Sequence, residues 1–429
     1  MEEARNSTAT ERFYAFLNQC IPWLIGIFLF FNPFPHTTAV KEISFYLSLL
    51  FFLVLLFARK RGFSFRTPLS IPFALFVIWS CIGLFFALNK PNSFHDIYAH
   101  LLKYLFVFYI VVNFFSSEKR FQAILWVFII STGILIFILL IHEYAILHRP
   151  LRELFGLYFP EIAPNIIALL TLFSMLLSIS LIRDVNPTYR NIVLIASVCL
   201  SAFATAATQA RSAILAMIGA IAVIFPRRKK ILLWFCVITV ALAAAFMPIK
   251  DRFTLDAMRQ KMKDDHRLSI WLCYAEIIKD HPIVGVGFGM QTCYDEKMLM
   301  KYNQKVPEKY RMPHPYTAPH NLLVDTATRT GLVGLALFLY VLFSFVKMGW
   351  HLIRRGRNEF IRDWSLCIMG TFVAVFIQGM FENTLSGPPA VILYSIFAMM
   401  TILWRMQHEP SGAPRTGAPA PDAPGKANP

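Results

Sequence analysis

The sequence predicts an all-α fold: a polytopic integral membrane protein with about 12 transmembrane helices and one long outer loop containing amphipathic helices. Three observations carry that prediction. Hydrophobic residues make up 57% of the 429 positions, above the roughly 45–50% of soluble domains, and mean hydropathy is +0.55. Charged residues are only 15%, against about 25% in soluble chains. Apolar stretches long enough to cross a bilayer core of about 30 Å recur along the whole chain. This balance excludes an ordinary soluble enzyme. The 41 phenylalanines suit helices that face lipid.

Taken in order, the apolar spans fall near residues 14–31, 43–58, 69–88, 97–115, 121–147, 163–182, 190–208, 212–225, 231–247, 329–349, 364–381 and 389–404. Residues 1–13, MEEARNSTATERF, are polar and include acids, unlike a cleavable signal peptide. They read as a cytoplasmic N-terminal tail. Helices 1–9 then occupy 14–247, a long polar loop occupies 248–328, and helices 10–12 occupy 329–404. Residues 405–429 are rich in Pro, Ala and Gly, cannot build a core, and read as a disordered cytoplasmic tail.

Basic residues set the orientation, because short cytoplasmic loops are enriched in Lys and Arg. One set of loops holds Arg59, Lys60, Arg61 and Arg66, then Lys119 and Arg120, Arg183 and Arg190, Arg227 to Lys230, and Arg354 to Arg362. The alternate set holds only Lys41, Lys90, Arg149, Arg152 and Arg211. Both termini are therefore expected inside. The net charge of +16 follows from this bias and requires no nucleic acid. Loop 248–328 carries many bases interleaved with acids. That pattern fits a solvated face or a surface for anionic lipid or phosphate.

Within the loop, "RLSIWLCYAEIIKDHPIVGVGFG" opens on a helical period at Leu268, Trp271, Leu272, Ala275 and Ile278. An amphipathic helix of this kind suits a membrane interface. Pro282 ends it, and Gly285, Gly287 and Gly289 allow tight turns or close backbone approach. The glycine spacing is not a dinucleotide fingerprint. Cys273 and Cys293 lie in this region, and a disulfide between them is left open. "KDDH", Lys263 to His266, reads as a solvated turn rather than a cation site, since adjacent residues make a poor ligand set. No zinc helix or phosphate loop is present, so no metal and no cofactor is expected.

Three residues could carry chemistry. Arg211 lies between two apolar runs, where a cation is costly unless it faces a cavity, a partner or the headgroups. Arg267 opens the loop helix. His320 sits just before a span, and its imidazole can accept or donate a proton near neutral pH. As an alternative, that stretch only caps the next helix, a task Asn321 or Asp325 could perform as well. His281 and His314 are nearby, and the sequence does not rank the three histidines.

The order "R-x-x-x-W" at Arg267 to Trp271, "HPIVGVGFG" at His281 to Gly289, "APHN" at Ala318 to Asn321 and "TGLVGLALF" at Thr330 to Phe338 resembles the bacterial O-antigen ligase and polymerase superfamily. "QARSA" at Gln209 to Ala213 looks like that family's arginine-serine motif. The resemblance covers about residues 200–400. It implies a multi-pass glycosyltransferase of the bacterial inner membrane with its active site facing the periplasm. The donor it implies is an undecaprenyl-pyrophosphate-linked glycan. For a ligase the acceptor is a sugar hydroxyl of lipid A-core. Carried over singly, Arg211 and Arg267 look like the donor-pyrophosphate arginines and His320 like the catalytic residue. Trp271, Gly287 and Asn321 stand as supporting positions.

Two arginines could stabilise a leaving pyrophosphate as a divalent ion does elsewhere, so the expected transfer is metal-independent and inverting. Three rivals stand beside O-antigen ligase: O-antigen polymerase, a protein-targeted oligosaccharyltransferase, and a transporter of lipid-linked glycan. Transport calls for ionisable groups inside several spans, but mid-span charges are scarce here, with Lys103 and His142 the main candidates and both near predicted ends, which disfavours transport. Polymerases of this superfamily often carry two large periplasmic loops with arginines. The single long loop favours ligase.

Overall fold

The computed structural model describes residues 2–59, 62–148, 162–182, 188–208, 210, 212–224, 267–315, 318–382 and 384–408, with side chains from residue 9 onward. Among these the fold is all-α, and nine helices are long and apolar enough to cross a membrane. Two shorter apolar helices match the expected spans near 69–88 and 212–225. The span expected at 231–247 lies outside the described residues, as do Arg211, the Lys263 to His266 turn and residues 409–429 of the expected tail, while residues 405–408, read from sequence as tail, form the last turn of a helix instead.

Helices α1 (Glu2–Phe31) and α2 (Thr38–Phe57) form an antiparallel hairpin. Its turn is tied by the Thr37 hydroxyl, which bonds the carbonyls of Phe31 and Phe34. Helix α1 buries Leu17, Ile21, Ile25, Phe28 and Leu29, a stripe at helical spacing. Trp23 and other large apolar side chains on its far side are exposed, which a bilayer tolerates and water does not. Next come α3 (Ser70–Phe86), α4 (Lys90–Asp96), a π-turn at Ile97–Leu102, and α5 (Lys103–Phe114). Helix α6 (Glu118–Leu140) leads to α7 (Pro164–Leu181), α8 (Tyr189–Ala207) and α9 (Ser212–Ile224).

Helix α7 is buried on every residue from Ile167 to Leu181, so it shows no amphipathic period; it is the inner post of the bundle. Leu172, Met175 and Leu176 of α7 pack with Ala202 of α8, Ala216 and Ala220 of α9, and Ala374. The small residues let these helices approach closely.

Residues 267–315 form a compact cap with its own core. Helix α10 (Arg267–Asp280) is followed by α11 (Met290–Cys293) and α12 (Glu296–Asn303). The buried face of α10 is Ile270, Cys273, Tyr274 and Ile277, packed on Val286, Leu299, Tyr302 and Val306. This corrects the face read from sequence: Leu268 is exposed, and Trp271 and Leu272 are half-buried. The buried face includes Tyr274, whose hydroxyl donates to the Cys293 carbonyl at 3.2 Å. The expected interfacial helix is thus a packed one.

Helix α13 (Leu322–Arg355) starts seven residues earlier than the span expected near 329. It has 34 residues and is broken once, at Gly331; the unbroken part from Leu332 to Arg355 is about 36 Å long, enough to cross the core of a bilayer. Helices α14 (Glu359–Gly379) and α15 (Gly387–His408) complete the chain, and α15 is buried along most of its length. Aromatic contacts join them: Phe345 lies 4.6 Å from Phe372 and 5.2 Å from Phe397, ring centre to ring centre.

The glycine segment threads between α13 and α4. Val286 N–H donates to the Thr328 carbonyl and Gly287 N–H to that of Arg329, while Leu332 N–H returns to Pro282 at 2.7 Å. Helix α13 is broken at Gly331, with φ 71° and ψ −178°. The Arg329 side chain is buried, donates through Nε to the Phe288 carbonyl at 2.8 Å, and pairs with Asp325 at 3.4 Å. On the other side Gly289 N–H donates to Ser93, Met290 N–H to Asp96 and Thr292 N–H to Asn92. The cap is therefore held to the bundle through its own backbone groups, which at this close approach bond both backbone and side-chain partners.

Candidate active site

His320 is the last residue but one before α13, and its backbone is left-handed, with φ 46°. A non-glycine residue pays for that geometry only when its neighbours impose it, and here both do. The carbonyl of Pro319 accepts the Trp271 indole N–H at 3.0 Å. The side chain of Asn321 caps α13, accepting from the N–H groups of Leu323 and Val324 at 3.0 and 3.1 Å. Its amide also donates to the Met380 carbonyl at 3.3 Å. Asn321 is therefore the cap, and Asp325 is taken by Arg329.

Pinned in this way, the His320 ring meets Glu382, with Nδ1 and Oε1 3.3 Å apart. The imidazole is 36% exposed and the carboxylate 14%. The second oxygen of Glu382 accepts from the Asn165 side chain at 2.6 Å. Asn165 stands in the first turn of α7, where the helix dipole favours an anion. The Gln378 amide donates to the Asn165 carbonyl at 3.2 Å. Gln378 Oε1 is buried with no hydrogen-bond partner among the described residues.

Arg267 reaches the same place from the cap. Its guanidinium lies over the ring of Phe381, 5.3 Å from the centre, and Phe381 adjoins Glu382. One turn further along α10, Trp271 holds Pro319. The start of α10, the Pro319–Asn321 segment and the α14–α15 connection therefore meet at one point. His281 sits at the far end of α10, 14 residues from Arg267 and about 21 Å along the axis. His314 is exposed. Gly287, with φ 110°, serves the passage of the backbone: a Cβ there would lie 2.5 Å from Ala87 Cβ. Ala210 and Ala213 pack on Ala168 of α7, one turn from Asn165. Arg211 itself is outside the described residues.

The chemistry open to this cluster follows from the atoms. A carboxylate can only accept a hydrogen bond, so a neutral His320 facing Glu382 carries its proton on Nδ1. Nε2 is then left with a lone pair that can take a proton from a hydroxyl. The Phe381 ring orients the Arg267 fork by cation–π attraction, and such a fork suits phosphate oxygens. Glu382 and Asn165 were not singled out from sequence. They lie 62 residues after and 155 before His320, and only the fold joins them. Among the described residues no group of three or more His, Cys, Asp or Glu side chains is placed to hold a metal ion.

Cys273 and Cys293 are both free thiols, buried in the cap core. Burial pushes the Cys273 thiol up to about 11, with nearby Glu276 adding to the rise, and pushes Cys293 up as well. A thiol raised this way stays largely neutral at pH 8, and only the thiolate alkylates readily. Iodoacetamide at pH 8 is therefore expected to leave both unmodified in the native protein and to modify both after denaturation. Peptide mass mapping checks this. Equal labelling before and after, or a mass showing the two joined, would contradict it.

Comparison with known proteins bears on this region. Residues 196–339, about a third of the chain, match the family model described as O-Antigen ligase. A Rickettsia typhi protein named as an inferred polysaccharide ligase is 25% identical over 287 residues, covering 64% of this chain and 67% of that protein. The Rickettsia prowazekii counterpart is 26% identical over 291 residues, with the same shares. A Rickettsia bellii protein of the same description is 26% identical over 361 residues, 81% of this chain and 82% of its own. The stretch that resembles the O-antigen ligase family, residues 196–339, contains both Arg267 and His320.

Proposed function

We propose that this protein is an O-antigen ligase. It transfers O-antigen glycan from undecaprenyl pyrophosphate to a sugar hydroxyl of lipid A-core, in lipopolysaccharide biosynthesis. The family segment and the names of the Rickettsia relatives support glycosyl transfer of the O-antigen ligase or polymerase type. The observation that carries the finer reading is the convergence of His320, Glu382 and Arg267 on the α14–α15 connection. In a bacterial inner membrane, the positive-inside bias of the short loops supports a periplasmic position for that point.

The proposed reaction balances as a displacement. The acceptor hydroxyl attacks the anomeric carbon as its proton passes to His320 Nε2. The bond from that carbon to the pyrophosphate oxygen breaks, and undecaprenyl pyrophosphate leaves with the electron pair. Arg267 and Arg211 stabilise the charge that grows on the leaving group. Attack from the opposite face inverts the anomeric centre. Glu382 fixes the ring of His320 and stabilises its imidazolium form. No metal takes part in this scheme.

The test uses purified protein in detergent with EDTA, labelled undecaprenyl-pyrophosphate glycan and lipid A-core, resolved on a gel. Label moving onto lipid A-core is the expected result. Lengthening of the lipid-linked glycan with unlabelled lipid A-core would make the protein a polymerase, and activity lost to EDTA and restored by a divalent ion would overturn the metal-free scheme.

A further inference from the structure

The C-terminal end of α13 reads "VKMGWHLIRR", Val346 to Arg355. Lys347, His351, Arg354 and Arg355 are spaced by four, three and one, so they share one side of the helix. Together with Pro68 and Trp404 they line a cavity of about 650 Å³. Its walls are two-natured. Arg354 lies over the Trp350 ring at 4.3 Å, and the His351 ring packs on Trp404 at 5.3 Å. Tyr340 and Phe343, also in the lining, are 43% and 64% exposed and continue the cavity along the outer face of α13.

No carboxylate lines the cavity. Lys347, Arg354 and Arg355 form no ion pair with an acid among the described residues. Basic residues at a helix end also serve as a topological signal, but that signal acts through number alone. It requires neither a concavity nor two tryptophans in its walls. An unneutralised cationic rim over an aromatic floor, opening onto an exposed apolar strip, matches a molecule with an anionic head and a hydrocarbon tail. A free anion would use the rim and leave the strip uncovered. The volume is that of an ordinary ligand site.

The cavity is not part of the site around His320. The His320 site lies before the break at Gly331, and beyond that break α13 continues unbroken from Leu332 to Arg355, about 36 Å of helix, enough to cross the roughly 30 Å hydrocarbon core. The two places therefore lie at opposite membrane faces.

We propose that this cavity binds an anionic glycerophospholipid. Its phosphate sits among Lys347, Arg354 and Arg355, its glycerol region against Trp350 and Trp404, and one acyl chain along Phe343 and Tyr340. Basic pockets between membrane helices are suited to such headgroups, and tryptophan favours that depth. A lipid held there fixes the depth of α13 in the bilayer.

The test places the full chain in phosphatidylcholine nanodiscs, titrates in phosphatidylglycerol, and follows retained lipid by native mass spectrometry. At about fivefold per charge, the Lys347→Gln/Arg354→Gln/Arg355→Gln variant is expected to bind about a hundredfold more weakly. These three side chains are exposed, so the substitutions leave the core untouched. An Arg59→Gln/Lys119→Gln control, at exposed positions outside the cavity lining, is expected to match the wild type. A photoreactive phosphatidylglycerol on unmodified protein is expected to label the 340–355 peptide. Equal binding by the triple variant, equal loss in the control, or labelling elsewhere would overturn the proposal. So would inorganic phosphate competing as well as the lipid, which would make this a free-anion site.

Discussion

Gly331→Ala is expected to cost the protein its folded cap. The residue holds φ 71° and ψ −178°, a region essentially closed to residues with a Cβ, at a cost on the order of 1–3 kcal/mol from the backbone alone. Space adds to that cost. A Cβ on Gly331 would run into the Ile283 carbonyl and lie 2.7 Å from Val284 N. Both are backbone atoms, and neither can swing aside. The opposing segment is equally fixed, because Gly285 has φ 69° and its Cβ would lie 2.5 Å from the Thr328 carbonyl oxygen. Parting the two segments would break the bonds from Val286, Gly287 and Leu332. The combined effect is about 4 kcal/mol or more, by adding backbone strain to lost hydrogen bonds. Thermal unfolding in detergent is the measurement. A large fall in midpoint, or aggregation, is expected. Gly26→Ala has no atom within 4 Å of its new Cβ and lies inside α1, so its midpoint should hold or rise slightly. An unchanged midpoint for Gly331→Ala would contradict the account of the kink.

The second large effect is on rate. His320→Ala is expected to slow transfer by about 10²–10⁴, the usual contribution of a positioned acid or base, with the folded state retained because the ring is partly exposed. Glu382→Gln should give a smaller loss. The amide is uncharged, and by presenting its NH₂ it can favour the wrong imidazole tautomer. If the pair acts as a unit, His320→Ala/Glu382→Gln should be no slower than His320→Ala alone. Transfer rates for the four proteins check this. Multiplying losses would mean that Glu382 acts on something other than His320.

The two kinds of prediction rest on information of different visibility. Apolar length is a local property, so the spans were legible, and α1 showed its buried stripe at helical spacing. Helix α7 and most of α15 are buried all round, and nothing in their sequence marks a face. The face of α10 is not legible because its core includes a tyrosine and a cysteine, while Leu268, one of the apolar residues of the sequence period, is exposed. The helix break at Gly331 was hidden inside "TGLVGLALF", where a glycine in an apolar run looks like part of the span. Of the candidate site, His320 and Arg267 are proposed from motif order, and the fold brings them together at the α14–α15 connection. Glu382 was not legible: "MFENT" reads as a polar turn between spans until α14 brings it to His320. Asn165, at the start of α7, gave no signal, since a polar residue at a helix start is common. Arg211 and the span near 231–247 lie outside the described residues, and their roles stay as proposed.

Arg267 and His320 are assigned different work at one point, and separating donor binding from transfer tests this most directly. The measurement is donor affinity and single-turnover transfer to lipid A-core for wild type, Arg267→Gln and His320→Ala in the same detergent. The expected result is that Arg267→Gln weakens donor binding and slows transfer, while His320→Ala binds donor as the wild type does and fails to transfer. Transfer at the wild-type rate by His320→Ala, or wild-type donor binding and transfer by Arg267→Gln, would contradict the shared site.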